Sequence, residues 1–373
     1  MANIKRYLEE KISQNLQENK ILIIYGPRQV GKTTLIKGFL ERFPNSVYIN
    51  GDFIDDREKL ASPSREMVSQ FAGYDLLVID EAQRIADIGL KLKVIFDALP
   101  KLKIIATGSS AFELANTVNE PLTGRYFSYN MYPISFGEAE AGRLFELNKF
   151  LVYGSYPETV TAKNDETRLK IIQNIAANYL FKDVLNIEYI KNPRSLELLL
   201  KALALQLGGE VSKNELAAVI GIDSKTVAGY LDILEKLYII FPLKPYFSNK
   251  RKSIIKQKKY YFYDLGIRNA ILNDFTPIEK RQDFGQLWEN FCVAERIKRH
   301  EALGSFAGLY FWRSYKGEEI DLVEVVNGAV DGFEFKWQDR GLPKRIKDIY
   351  TKDLKGREEL RVVSPQSFSK FMK

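Results

Sequence analysis

Gly26-Pro27-Arg28-Gln29-Val30-Gly31-Lys32-Thr33-Thr34 follows the apolar run Ile21–Tyr25 and opens a helical pattern that continues to Arg42. The stretch fits G-x-x-x-x-G-K-[ST] between a strand and a helix, the context a phosphate-binding loop requires. In such a loop successive backbone N–H groups form a concave anion cradle, and the positive end of the helix adds to it. Gly26 and Gly31 permit a close backbone approach that a side chain would block. Lys32 is then expected to reach the β- and γ-phosphates and the Thr33 hydroxyl to ligate Mg2+. Residues 26–34 together form the expected nucleotide contact.

Leu76-Leu77-Val78-Ile79-Asp80-Glu81 is a second apolar run, ending in two acids. A central strand of this kind delivers Asp80 to its C-terminal edge, where α/β sheets place ligands. Asp80 is expected to hold Mg2+ through water and Glu81 to polarise the attacking water. Ala106-Thr107-Gly108-Ser109-Ser110 ends a third run in hydroxyls, which either hold that water or sense the γ-phosphate, or else, through Ser109 or Ser110, cap a helix. Arg125 in Leu122-Thr123-Gly124-Arg125 is a candidate for the γ-phosphate, in cis or from a neighbour; a structural salt bridge is the competing reading. With Ser46–Asn50 (SVYIN), these runs alternate with helical stretches, so the expected fold class is α/β with a parallel sheet covered on both faces.

A length of 373 residues points to two or three domains, and 45% hydrophobic residues suffice for real cores. One cysteine, Cys292, excludes an internal disulfide and fits a reducing compartment. One histidine, His300, removes the usual zinc sites and argues against Ser-His-Asp chemistry. The N-terminal stretch has no apolar core of a signal peptide, and no run approaches a membrane span, so a cytoplasmic protein is expected. A net charge of +7 permits a nucleic-acid partner without requiring one.

The segments Gly26–Leu35 (GPRQVGKTTL), Ile79–Ile85 (IDEAQRI), Ala106–Leu114 (ATGSSAFEL), Leu122–Phe127 (LTGRYF) and Tyr132–Glu138 (YPISFGE) resemble AAA-family ATPases of bacteria and archaea. Those proteins carry a C-terminal domain of uncharacterised function. Gly154–Pro157 (GSYP) and Tyr179–Asn186 (YLFKDVLN) look like two further marks of that family. The resemblance runs over essentially the whole chain. It implies ATP rather than GTP, an AAA-type ATPase domain, a winged helix and a nuclease-like C-terminal fold, and it implies no substrate.

Three parts are therefore expected: an ATPase core over 1–135, a helical region with a winged helix over 136–260, and a nuclease-like domain over 261–373. In the middle part Leu196–Leu207 reads as a helix, Ser212 and Glu215 as a capping box, and Asp223 as the cap of a helix to Leu237. On a DNA reader Ser224, Lys225, Thr226 and Tyr230 would face a groove; an internal packing module is the alternative. Lys244, Lys250, Arg251, Lys252, Lys256, Lys258 and Lys259, with Tyr246 and Phe247 among them, suit phosphate contact and stacking or else a solvated hairpin.

From Gly285 a helix, three strands, a helix and a short strand are expected, the order of the PD-(D/E)XK nuclease core. Side chains alternate along a strand, so Glu334 and Lys336 share a face, and a hairpin partner can set Asp321 beside them. Asp321 and Glu334 would hold a metal, Glu289 would support it, and Lys336 would orient or deprotonate water. The expected partner is nucleic acid, DNA ahead of RNA. The alternative is a nucleotide-dependent switch that binds a protein and keeps the nuclease-like fold as a scaffold.

Overall fold

A computed structural model describes residues 4–108, 122–178, 190, 192–246, 257–314, 317–338, 341, 350 and 360–373. Ser109, Ser110, the Tyr179–Asn186 motif, Phe247, Lys250, Arg251, Lys252, Lys256 and most of the expected helix ending at Tyr350 lie outside the described residues. The chain divides into two compact units, residues 1–134 with 236–238, and residues 135–235 with 239–373.

The first unit contains α1 (Tyr7–Asn15), β1 (Ile21–Tyr25), α2 (Lys32–Arg42), β2 (Ser46–Asn50), α3 (Ile54–Glu58), α4 (Arg65–Ser69), β3 (Leu76–Asp80), α5 (Ile88–Ala98), β4 (Lys103–Gly108) and β5 (Tyr126–Asn130). The strands form one parallel sheet in the order β2-β3-β4-β1-β5. Every residue of β1 and β3 is buried, as expected of strands covered on both faces. Strand β5 was not legible as such, because Phe127 and Ser128 are exposed and its apolar signal is weak. Tyr25 lies in register with Gly108, and Ile79 with Ala106, so β1, β3 and β4 end along one edge. The loop after β1 is tied down from α1's N-cap: the Arg6 guanidinium donates to the carbonyls of Val30 and Tyr132, each at 2.6 Å.

The second unit opens with α6 (Phe136–Ala141), whose Ser135 and Glu138 form a reciprocal capping box. It continues through α7 (Leu147–Tyr153), α8 (Pro157–Thr161), α9 (Asp165–Ala176), α10 (Pro193–Leu205), β6 (Glu210–Val211), α11 (Lys213–Ile220) and α12 (Ser224–Lys236). The Ser212 hydroxyl accepts from Glu215 N, and the Asp223 carboxylate from the amides of Lys225 and Thr226. Tyr230 departs from the groove-facing reading. It is buried, and its hydroxyl accepts from Asn192 N at 3.3 Å, because its position on α12 belongs to the packed stripe with Val227 and Leu234. Ser224 and Lys225 are exposed.

Then follow β7 (Ile240–Pro245), β8 (Lys258–Phe262), α13 (Leu265–Leu272), α14 (Phe284–Leu303), β9 (Gly308–Arg313), β10 (Glu319–Val326), β11 (Ala329–Phe335), β12 (Leu360–Val363) and α15 (Phe368–Phe371). All seven strands form one sheet in the order β12-β11-β10-β9-β7-β8-β6. The hairpin strands β7 and β8 thus extend the sheet of β9–β12, through parallel pairing of Lys244–Pro245 with Tyr310–Phe311.

The GSYP motif has a packing role within this unit. Gly154 has φ +76°, and a Cβ there would stand 2.1 Å from Asp264 Oδ1. Asp264 is buried and accepts from Ser155 N at 2.6 Å and from Ile267 N at 3.1 Å, so it caps α13 and fixes the turn after α7 together. Gly154→Ala is expected to cost about 2–3 kcal/mol, from left-handed strain plus displacement of a buried carboxylate. Chemical denaturation checks this, and an unchanged midpoint would remove the packing explanation.

Candidate functional site

The phosphate loop is built around its own lysine. Gly31 caps α2 with φ +98°, and Gln29 has φ +61°, so the loop turns twice through the left-handed region. A Cβ on Gly26 would lie 2.2 Å from the Met131 carbonyl oxygen, so only glycine lets the end of β1 pass that close to the residue after β5. Lys32 is 5% exposed, and its Nζ donates to the carbonyls of Gly26 at 2.7 Å and Pro27 at 2.8 Å. Burial pulls its ammonium down to about 8, against Glu81 and Asp80, which favour the charged form.

Asp80 ends β3 buried among hydroxyls. Thr33 Oγ1 donates to its Oδ2 at 2.7 Å, Tyr48 OH donates to the same oxygen at 3.0 Å, and the Thr107 hydroxyl donates to Oδ1. Glu81 follows with φ +50°, and its Oε2 accepts from Gln83 Nε2 at 2.6 Å. Lys32, Thr33, Asp80 and Glu81 therefore gather at one sheet edge, with Thr107 beside them. The oxygen set of Thr33 and Asp80 suits a hard divalent cation.

Arg125 is not brought to this edge. Its carbonyl accepts from Ile21 N at the start of β1, and the loop leaves from the far end of that five-residue strand, about 15 Å away. Its guanidinium pairs with Asp97 at 2.9 and 3.2 Å. That placement sets it at the opposite end of β1 from the loop and pairs it with Asp97, the competing salt-bridge reading. The physical reason is parallel register, which puts the residue before β5 beside the residue before β1.

In the second unit Asp321 and Glu334 stand opposite each other, one step beyond the Leu322–Phe333 pair of β10 and β11. Asp321 lies where the β9–β10 register slips between Ile320 and Val323, a bulge that re-aims a side chain. Its Oδ2 accepts from Phe335 N at 2.8 Å. Lys336 Nζ lies 2.7 Å from Glu334 Oε1, whereas Glu334 Oε2 is buried with no hydrogen-bond partner. Burial, then the Glu289 and Glu334 carboxylates, push Asp321 well above the usual carboxylate range. Burial pushes Glu334 upward too, with Lys336 opposing.

Glu289, on α14, accepts from Tyr261 OH at 2.6 Å and from Lys259 Nζ at 3.2 Å, both on β8. Lys259 also bonds the Glu319 carboxylate. It is 2% exposed, so it belongs to this cluster and not to an outward basic surface. The cause is strand alternation, which turns Lys259 and Tyr261 to the same buried face. Lys244 is exposed and Lys258 half-buried. Among the described residues no three His, Cys, Asp or Glu side chains are grouped closely enough to hold a metal ion.

Residues 18–140 match the family model described as AAA domain. Over that span the chain is similar to AAA domains. Beyond it, residues 144–277 and 284–368 match models described as domains of unknown function, DUF8612 and DUF4143. Over 338 residues the chain is 27% identical to the uncharacterized protein Rv2008c of Mycobacterium tuberculosis, spanning 89% of this chain and 74% of that one. It is 24% identical over 327 residues to the uncharacterized protein MJ1544 of Methanocaldococcus jannaschii, spanning 80% and 71%. Among solved structures, the Walker-type ATPase PABY2304 of Pyrococcus abyssi superposes with a TM-score of 0.49 at 17% identity, over 72% of this chain and 96% of that one.

Sequence reading of the first unit missed Tyr48, Arg6 and Gln83. Tyr48 reaches Asp80 only because β2 pairs with β3 in the register Asn50–Asp80, which no local pattern announces. Lys259 and Tyr261 left a fainter signal, their spacing of two within the strand-like KKYYF. No helix among the described residues is long and apolar enough to cross a membrane.

Proposed function

We propose that the ATPase domain binds ATP with Mg2+ and hydrolyses it, and that this turnover regulates metal-dependent cleavage of nucleic acid by the second unit. The observation that carries the first half is the Thr33–Asp80 contact of 2.7 Å beside the buried Lys32. Thr33 and Asp80 would hold Mg2+, which neutralises phosphate oxygens when bound. Lys32 would exchange the Gly26 and Pro27 carbonyls for β- and γ-oxygens. Glu81 takes a proton from water as the water oxygen attacks the γ-phosphorus, the bond to the ADP oxygen breaks, and ADP and phosphate leave.

For the second half, the buried Glu334 Oε2, without a hydrogen-bond partner beside Asp321, fits a cation ligand. Asp321 and Glu334 would hold a divalent ion, which supplies positive charge at a phosphodiester when bound. Lys336 orients the water that attacks phosphorus, the bond from phosphorus to the sugar oxygen breaks, and the proton that the water gives up ends on that departing oxygen. In this reading residues 136–260 act as a winged-helix region, presenting Ser224 and Lys225 to a DNA groove, and 261–373 as the nuclease-like domain.

The competing reading is a nucleotide-dependent switch that binds a protein and cuts nothing. The engagement of Glu289 by Tyr261 and Lys259 favours it, since the third acid is already occupied. Incubating the protein with Mg2+ or Mn2+ and plasmid or single-stranded DNA, with and without ATP, separates the two. Cleavage that disappears in Lys336→Ala is the expected result. Intact DNA alongside normal ATP hydrolysis would transfer the assignment to the switch.

A further inference from the structure

The acid cluster of the second unit already contains a cation of its own. Lys259 comes from β8 of the hairpin, not from the strands that carry Asp321 and Glu334. Its ammonium lies between Glu319 and Glu289, and the Glu289 oxygen it touches also accepts from Tyr261. Glu319 has a second, looser partner in Arg313 Nε at 3.7 Å. On the other side of the cluster only Glu334 Oε1 is engaged by a lysine, and Oε2 is buried without a partner. The four carboxylates thus divide into a pair bridged by one buried lysine and a pair in which Lys336 engages a single oxygen and one buried oxygen is left over.

We infer that Lys259 is the resident cation of the Glu289–Glu319 half, so that the cluster accepts one divalent ion, at Asp321 and Glu334, and no second. This rests on the metal-dependent reading of the same site. Two-ion hydrolases hold their metals about 3.5–4 Å apart between shared carboxylates. An ammonium seated on two of the acids takes the oxygens a second ion would need. Unlike a metal, it is tethered by its stem and cannot leave on chelation, so this half keeps its shape at any metal concentration. Removing it would leave Glu289 without an ion pair and Glu319 with only the looser Arg313 contact, which draws in another cation.

Mn2+ titrated into nucleotide-free protein carrying Thr33→Ala, with free ion counted by electron paramagnetic resonance, tests this. The parent is expected to bind one ion per chain, addition of K259M to raise the count to two, and K259M with E319Q to restore one. The melting temperature of K259M is followed in parallel. Should that variant not fold, E319Q by itself decides, and it is expected to keep the single ion with unchanged affinity. A count of one in folded K259M, a count of two in the parent, or a tenfold loss of affinity in E319Q would each overturn the inference. No ion bound by the parent would instead overturn the metal-dependent reading, and the inference with it.

Discussion

Glu81→Gln is expected to leave ATP binding intact while turnover falls by about 10²–10⁴-fold, the usual contribution of a positioned general base. Glutamine keeps the length of the side chain and an oxygen that can accept from Gln83, so the local geometry around the left-handed Glu81 backbone persists. What disappears is the ability to take a proton from water. Lys32→Ala is expected to act one step earlier and to lose nucleotide binding. The loop would keep its glycine-dependent shape but lose the one buried ammonium aimed at Gly26 and Pro27, where the phosphate oxygens would sit. Fluorescent-nucleotide binding and phosphate release, measured on both variants, distinguish these effects. Normal turnover in Glu81→Gln would take Glu81 out of the base role, and ordinary binding in Lys32→Ala would remove the lysine from phosphate recognition.

Arg296→Met is expected to destabilise the second unit by about 3–5 kcal/mol, because it leaves a buried carboxylate without its main counter-charge. Arg296 on α14 is bidentate to Glu324 of β10, donates to the Phe371 carbonyl at 2.6 Å, and stacks over the rings of Phe333 and Phe371. One side chain therefore ties α14, the sheet and α15 together. Burial works against the Glu324 carboxylate, but the nearby His300 ring and the Arg296 guanidinium prevail and hold its pKa down to about 2. A carboxylate depressed on folding contributes stability above its ordinary value of 4.5, and that contribution is lost as pH falls toward about 2. The wild-type protein should lose stability across that window, and Arg296→Met, which forfeits the interaction at every pH, should show a flatter acid limb. Denaturation midpoints taken at neutral pH and in acid measure both effects. An unchanged neutral-pH midpoint would show that the pair adds nothing net.

The parallel sheet of the first unit was readable because its interior strands are short, continuous apolar runs bounded by turn residues. The phosphate loop was readable for a related reason: its function depends on the backbone of consecutive residues, with glycines where a Cβ would collide or φ is positive. Helix starts at Ser212 and Asp223 were legible because a cap and the amide it serves lie within three residues. Strand β5 was not, since two of its five residues face outward and imitate a loop.

Side-chain roles that depend on two distant segments behaved differently. Arg125 lies in a motif-like stretch, yet parallel register carries it to the sheet edge away from the loop and beside Asp97. Tyr230 resembles an exposed reader until the packed stripe of α12 buries it. Lys259 belongs by composition to a basic run, but the hairpin turns it onto Glu289 and Glu319. The sequence by itself determined the phosphate loop, the acids that end β3 and the alternation of strand and helix, because contiguous residues carry that information in their spacing. Only the tertiary structure decided which charged groups meet, because strand order and register bring together residues such as Lys259 and Glu319 that no local pattern relates.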